Sequence, residues 1–312
     1  MDLINFLHFT LLFVLLLPIY NGEFSHATNS SSRKHRRHKR LSHGVFDEKS
    51  LGLARSMVSI RTRTARAYYG DNHFCAGAII APTFVLSSAH CVITKRRLFL
   101  PRRMLLIVAG TPNRLKYMER RSFHTPVTRI IAPDNFTIYN TNDIVLLQTK
   151  IRFPRSNFFI NIIDLPLNPP QIGELYDLCG WGRLYRGGPL TSNIVHIRMP
   201  LISSEVCQKI LHVTKTDMLC TFDENAHSAI SACFGDLGSP LVRNRTVFGI
   251  VSSTVGCSIH NMPCIFTDVY QNVDWILRNM VIKKSGATTH VFESTTLLLV
   301  LQIFYKFYCD FD

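Results

Sequence analysis

Negative charge is scarce in this 312-residue chain, which carries 21 Asp and Glu against 35 Lys and Arg, a formal net charge of +14. So cationic a surface suits anionic partners such as sulfated glycans, with an affinity that salt weakens. A merely soluble cationic protein fits the same numbers. A long apolar run is missing from the amino-terminal region: Leu11 to Tyr20 is broken only by Pro18 and is too short to span a bilayer. Helical periodicity is missing until late in the chain, and no internal repeat is present. Helix-built architectures are therefore disfavoured, while an apolar content of 46% is ample for a packed core.

What is present first is a leader. The apolar run followed by Ser25-His26-Ala27 reads as a secretory signal peptide over residues 1–27, although Asp2 stands where Lys or Arg is usual. Nine cysteines and three sequons, at Asn29, Asn135 and Asn244, agree with an oxidising, secreted route. Nucleic-acid binding conflicts with that destination and is discounted. The odd cysteine count leaves at least one thiol unpaired or intermolecular.

Residues 28–40 form a basic linker ending in Arg37-His-Lys-Arg40. It reads either as a propiece cut after Arg40 by a processing protease or as a solvated basic tail. From Met57 onward short strands alternate with Gly, Pro and Asn turns. The candidates are Val58 to Tyr68, Ala76 to Ile80, Phe84 to Ser87, Met104 to Ala109, Asp143 to Thr149, Val195 to Met199 and Val247 to Ser252. Such spacing predicts antiparallel barrels or sandwiches. A closing helix is expected over Val273 to Ile282, with Val273, Ile276, Leu277, Met280 and Val281 on its apolar face. In the last segment, 284–312, small residues Ser285-Gly286-Ala287 precede a polar spacer and a mostly apolar stretch, Leu297 to Tyr308. That order resembles a glycolipid-anchor signal; the other reading is a plain extension, favoured by Gln302, Lys306, Asp310 and Asp312.

Four motifs carry the chemistry. "CAGAIIAPTFVLSSAHC" sets His90 beside Cys91, and "NDIVLLQT" sets Asp143 at the mouth of an apolar strand, where a carboxylate needs hydrogen-bond partners. "CGWG" begins at Cys179, and "GDLGSPL" runs from Gly235 to Leu241. Taken in this order, residues 41–283 resemble the trypsin/chymotrypsin-like serine proteases. The resemblance implies an all-β fold of two antiparallel six-stranded β-barrels with a C-terminal helix and a cleft between the barrels. It implies disulfides Cys75–Cys91, Cys207–Cys220 and Cys233–Cys257. Cys179, Cys264 and Cys309 have no partner in that pattern; Cys264 reads as a buried thiol, and Cys309 as one able to join two chains.

By the same resemblance His90 matches the general base, Asp143 the carboxylate that orients it, Gly235 an oxyanion-hole amide and Ser252 a serine supporting the aspartate. The nucleophile position holds Leu237, which has no hydroxyl to deprotonate and cannot form an acyl-enzyme. Losing the nucleophile costs on the order of 10⁶ in turnover, roughly 8 kcal/mol of barrier. Ser239 stands two residues away and is displaced from the histidine. The specificity pocket also departs from the family: Ser231 at its floor, Thr254 in place of a glycine, and Cys264 where the family has bare backbone. Asp236 survives and is the family's partner for a new amino terminus, here Leu41 after cleavage at Arg40.

The chain is therefore expected to be a secreted, inactive serine protease homologue similar to those abundant in insects. It would act by binding extracellular proteins such as proteases, inhibitors or receptors, as cofactor, decoy or scaffold. The alternatives are an active endopeptidase with an atypical site and a sulfated-glycan-binding cationic protein. No cofactor or metal is expected.

Overall fold

The computed structural model describes residues 46–94, 98–137, 141–183, 185–212, 217–223, 232–253, 259 and 262–281. Leu41, Arg40, Asn29, Ser231, Thr254, Cys257 and Cys309 lie outside them, as do the segments read as signal peptide, basic linker and C-terminal extension.

Twelve strands form two closed antiparallel barrels. The first holds β1 (Met57–Thr62), β2 (His73–Ala81), β3 (Phe84–Ser87), β4 (Leu105–Ala109), β5 (Phe123–Ile131) and β6 (Val145–Thr149). The second holds β7 (Leu175–Gly180), β8 (Val195–Ile202), β9 (Met218–Thr221), β10 (Pro240–Arg243), β11 (Thr246–Ser253) and β12 (Cys264–Asp268). The all-β, two-barrel expectation holds.

Strand alternation explains how the barrels pack. Ile79, Val85, Val145 and Leu147 fill the first barrel with Ile60, Leu105 and Ile107. Their neighbours in sequence, Ala78, Ile80, Leu86, Ile144 and Leu146, point the other way and join Val242, Val247 and Ile250 of the second barrel. Successive side chains leave a strand on opposite faces, so β2, β3 and β6 bury both faces and read as continuous apolar runs. Each fully buried Val, Leu or Ile contributes about 1.5–3 kcal/mol relative to exposure. The second barrel closes around Tyr176, Leu178, Met199, Leu201, Leu241, Val251 and Phe266.

Among the described residues three α-helices accompany the barrels: α1 (Glu48–Ala54), α2 (Ser204–Leu211) and α3 (Val273–Met280). Asp47 starts α1 with a capping box, its carboxylate accepting from Ser50 N at 2.9 Å while Ser50 Oγ accepts from Asp47 N at 3.3 Å. The apolar face of α3 differs from the sequence reading. Ile276 is buried, with Trp275 and Met280 packed on the same cluster, whereas Leu277 and Val281 are exposed. The first strand also stops at Thr62 and does not run to Tyr68. Asp71 accepts from the amides of Arg66, Ala67 and Tyr68 (2.9, 2.5 and 3.0 Å), folding that segment into a loop.

Cys75–Cys91 and Cys207–Cys220 are disulfides. Cys233 is also disulfide-bonded.

Candidate active-site cleft

His90 sits in a short 3-10 helix, Ala89–Val92, that follows β3. The Cys75–Cys91 bridge ties this turn to β2. Ser88 caps the turn with its hydroxyl, which accepts from His90 N at 3.1 Å. Asp143 begins the approach to β6 and is fully buried. Its Oδ2 lies 3.0 Å from His90 Nδ1, and its Oδ1 accepts from His90 N at 3.0 Å. Ser88 Oγ donates to the same carboxylate at 2.8 Å, and Thr267 Oγ1 donates to the Asp143 carbonyl at 2.9 Å. Two hydrogen-bond donors, Ser88 Oγ and His90 N, compensate the burial of this water-excluded carboxylate. The His90 ring stands edge-on to Phe136, with centroids 5.3 Å apart.

The serine beside the aspartate is therefore Ser88. Ser252 is buried, but its hydroxyl has no hydrogen-bond partner among the described residues. The signal for Ser88 was its place two residues before His90, where a hydroxyl can cap a turn and still reach a neighbouring carboxylate.

The loop from Cys233 to Pro240 is a pair of turns that leads into β10. Gly235 (φ +99°) and Gly238 (φ +80°) take left-handed conformations open to glycine. A Cβ on Gly238 would collide with Ser87 Oγ and the Ala76 carbonyl. Ala76 N donates to the Leu237 carbonyl at 2.8 Å, and Gly238 N donates to the Val251 carbonyl at 3.0 Å, so the loop is stitched to both barrels.

Leu237 is partly buried and packs against the cores of both barrels. It lines one hollow together with His90, Phe74, Leu100, Leu190 and Phe234. An isobutyl group thus faces the histidine's side of the cleft. Ser239 is fully buried, its hydroxyl lacking a hydrogen-bond partner among the described residues and turned toward Gly180. It presents no nucleophile to the cleft.

Asp236 is buried on the far side of the loop. Its Oδ1 accepts from Gly182 N at 2.8 Å and its Oδ2 from Cys233 N at 3.0 Å. Burial pushes its carboxyl up to about 6, against the opposing pull of these two amides. Behind the loop, His73 Nδ1 lies 2.8 Å from Ser59 Oγ, which accepts from Arg61 Nε at 2.8 Å. Arg61 and Arg114 are buried cations held by carbonyls: Arg61 reaches Arg114 O at 2.9 Å, and Arg114 reaches Thr191 O at 2.7 Å and Gly70 O at 2.8 Å. The sequence reading missed this shell.

Cys264 lies in the second barrel's core, 3.1 Å from Ala232 N, and burial pushes its thiol up to about 12. Burial likewise raises the Cys179 thiol, which sits 3.3 Å from Met57 Sδ. Neither thiol is poised as a thiolate. Asn135 and Asn244 are exposed. Among the described residues no group of His, Cys, Asp and Glu is arranged to hold a metal ion, and no helix is long and apolar enough to cross a membrane.

Comparison with protein families matches residues 46–276 to the trypsin family. A chymotrypsin-2 of Vespa crabro is 30% identical over 211 residues, covering 67% of this chain and 90% of the relative. The trypsin Tyr p 3.0101 of Tyrophagus putrescentiae is 31% identical over 245 residues, covering 74% of this chain and 80% of the relative. Serine protease SP24D of Anopheles gambiae is 28% identical over 211 residues, covering 68% and 73%.

Proposed function

Because the chain belongs to the trypsin family, we propose that it is a secreted member without turnover that acts by binding. Acyl transfer in this family needs a hydroxyl deprotonated by the histidine. The single observation that carries this reading is Leu237, an apolar side chain joining the two barrel cores beside His90. Ser239, the nearest hydroxyl in sequence, is enclosed. The retained His90–Asp143 pair then serves the architecture of the cleft. The hollow beside it, about 450 Å³ and lined by Phe74, Leu100, Leu190 and Phe234, offers apolar contact to a polypeptide partner.

The partners that fit are extracellular proteins: a protease, an inhibitor or a receptor. In a protease cascade such a chain acts as cofactor, decoy or scaffold. Secretion rests on the leader over 1–27 and on the exposed sequons at Asn135 and Asn244. Processing after Arg40 would free Leu41, whose ammonium is the natural counterion for the buried Asp236 carboxylate. N-terminal sequencing of the secreted chain tests this step, and an intact Arg40–Leu41 bond overturns it.

The decisive experiment is a fluorophosphonate probe on the purified, processed protein. The expected result is no covalent label. Labelling that disappears on His90→Ala overturns the reading in favour of an active endopeptidase.

A further inference from the structure

A cluster of positive charge lies apart from the cleft, beside α1 and the second barrel. There a hollow of about 560 Å³ is lined by Lys49, Arg55, Arg198, Arg243 and Arg245, with Asp177 as its one acidic member. These residues come from α1 and its end, β8, β10 and the β10–β11 hairpin. The chain folds separate sequence segments into one cationic basin.

The positive charge is only partly neutralised. Asp177 is shared by Lys49 Nζ at 2.5 Å and Arg198 Nε at 3.0 Å. Arg243 pairs with Glu174 at 2.9 Å, on an exposed carboxylate. Arg55 has no carboxylate partner among the described residues; its guanidinium lies 4.3 Å over the Phe158 ring and its Nε is buried without an acceptor. Arg245 sits at the tip of a two-residue turn, with φ +49° at Asn244 and +62° at Arg245, exposed and without an ion pair among the described residues. Five cations thus face two carboxylates.

The geometry separates this basin from a generic cationic surface. Arg55 is held by ring stacking, Arg198 by Asp177 and Arg243 by Glu174, so three guanidiniums are oriented before any ligand arrives. Preorganised guanidiniums recognise sulfate and phosphate oxygens in pairs. The volume falls within the range of small-ligand sites, and the basin is wider than one anion requires.

We propose that this basin binds a short segment of a sulfated saccharide chain, with Arg198, Arg243 and Arg245 contacting its sulfates. A sulfated chain supplies several negative groups at saccharide spacing, matching several cations spread around one hollow. Protein ligands of the cleft do not compete directly, because the basin shares no residue with it. Failure here therefore leaves the inactive-homologue reading untouched, and the converse also holds.

The test is calorimetric titration of the full secreted chain carrying Asn244→Gly, which removes the sequon lining the basin and suits the positive φ there, with a heparin-type sulfated hexasaccharide at about 0.15 M salt, the ionic strength at which charges over ~8 Å apart are largely screened. Saturable binding is expected. The R198Q/R245Q variant should bind at least about ten-fold more weakly, and its slope of log affinity against log salt should shrink by about two, following counterion release. The R103Q/R186Q variant, with the same loss of charge elsewhere, should stay within about two-fold. In the Asn244→Gly parent, hydrogen-exchange protection by the hexasaccharide should fall on residues 49–56, 197–199 and 242–246, a readout independent of how the charge variants fold. Absence of saturable binding, equal losses in both variants, or protection elsewhere overturns the proposal.

Discussion

His73 Nε2 lies 3.1 Å from the Gly235 carbonyl oxygen, so the ring nitrogen must be the donor in that bond. The other ring nitrogen then accepts from Ser59 Oγ, which itself accepts from Arg61. One tautomer of a neutral imidazole satisfies the whole chain of bonds. The loop carrying Leu237 is therefore braced from behind by a neutral ring, and a second proton on Nδ1 would take away the acceptor of the Ser59 hydroxyl.

The protonation of that ring can be measured. Burial, reinforced by the Arg114 and Arg61 cations, holds His73 down to about 3. Its folded value lies below its unfolded value, so its stabilisation is complete above about pH 6.5 and is lost as pH falls toward 3. The slope within that window is about 1.4 kcal/mol per pH unit. In urea denaturation, the advantage of wild type over His73→Gln should shrink by about 2 kcal/mol between pH 7 and pH 5. An unchanged gap would show that the ring is not buried neutral.

Asp236 has the opposite sign. Its folded value of about 6 lies above that of an unfolded aspartate. Its contribution is complete below about pH 3.9 and is lost as pH rises through 6. In a chain made uncleavable by Arg40→Gln, Asp236→Asn should remove a fall in stability between pH 4 and pH 6. In processed protein, an inserted Leu41 ammonium would lower the carboxyl and abolish that fall in the parent. Paired denaturation curves at the two pH values check both statements.

Ser88 and Ser252 make a contrasting pair. Removing the Ser88 hydroxyl takes a donor from a fully buried carboxylate and should cost about 1–3 kcal/mol. Ser252→Ala deletes a hydroxyl with no partner among the described residues and should change stability by less than about 0.5 kcal/mol. Equilibrium unfolding of the two variants decides which serine supports Asp143.

Leu237→Ser should restore slow fluorophosphonate labelling, because His90 Nδ1 and the Asp143 carboxylate already lie 3.0 Å apart. The label should vanish when Asp143→Asn is added. The same substitution should lower stability by about 1–3 kcal/mol, as a partly buried apolar side chain is truncated. Active-site labelling and a urea titration read the two effects separately.

Much of this was legible in the sequence. Short apolar strands with turn residues gave antiparallel barrels or sandwiches, which the family resemblance narrowed to two barrels, and β2 and β6 read as unbroken apolar runs because both of their faces are buried. His90 and Asp143 were marked by motifs of the family resemblance, and they lie 3.0 Å apart in the structure. The rest depends on contacts between distant segments. Arg61 and Arg114 are among the residue types usually found in water, and only carbonyls brought from other loops make their burial tolerable. The amphipathic pattern of α3 placed Leu277 inward, whereas the helix packs through Trp275, Ile276 and Met280. The capping box at Asp47 and Ser50 was a local signal for α1, obscured by Gly52 and a length of only seven residues.

Leu237 fills space between two apolar interiors, and that has a mechanical consequence. A serine at this position would supply a hydroxyl and leave a void between the two cores. One side chain therefore couples the reactivity of the cleft to the cohesion of the barrels, so that a variant gaining the first gives up part of the second.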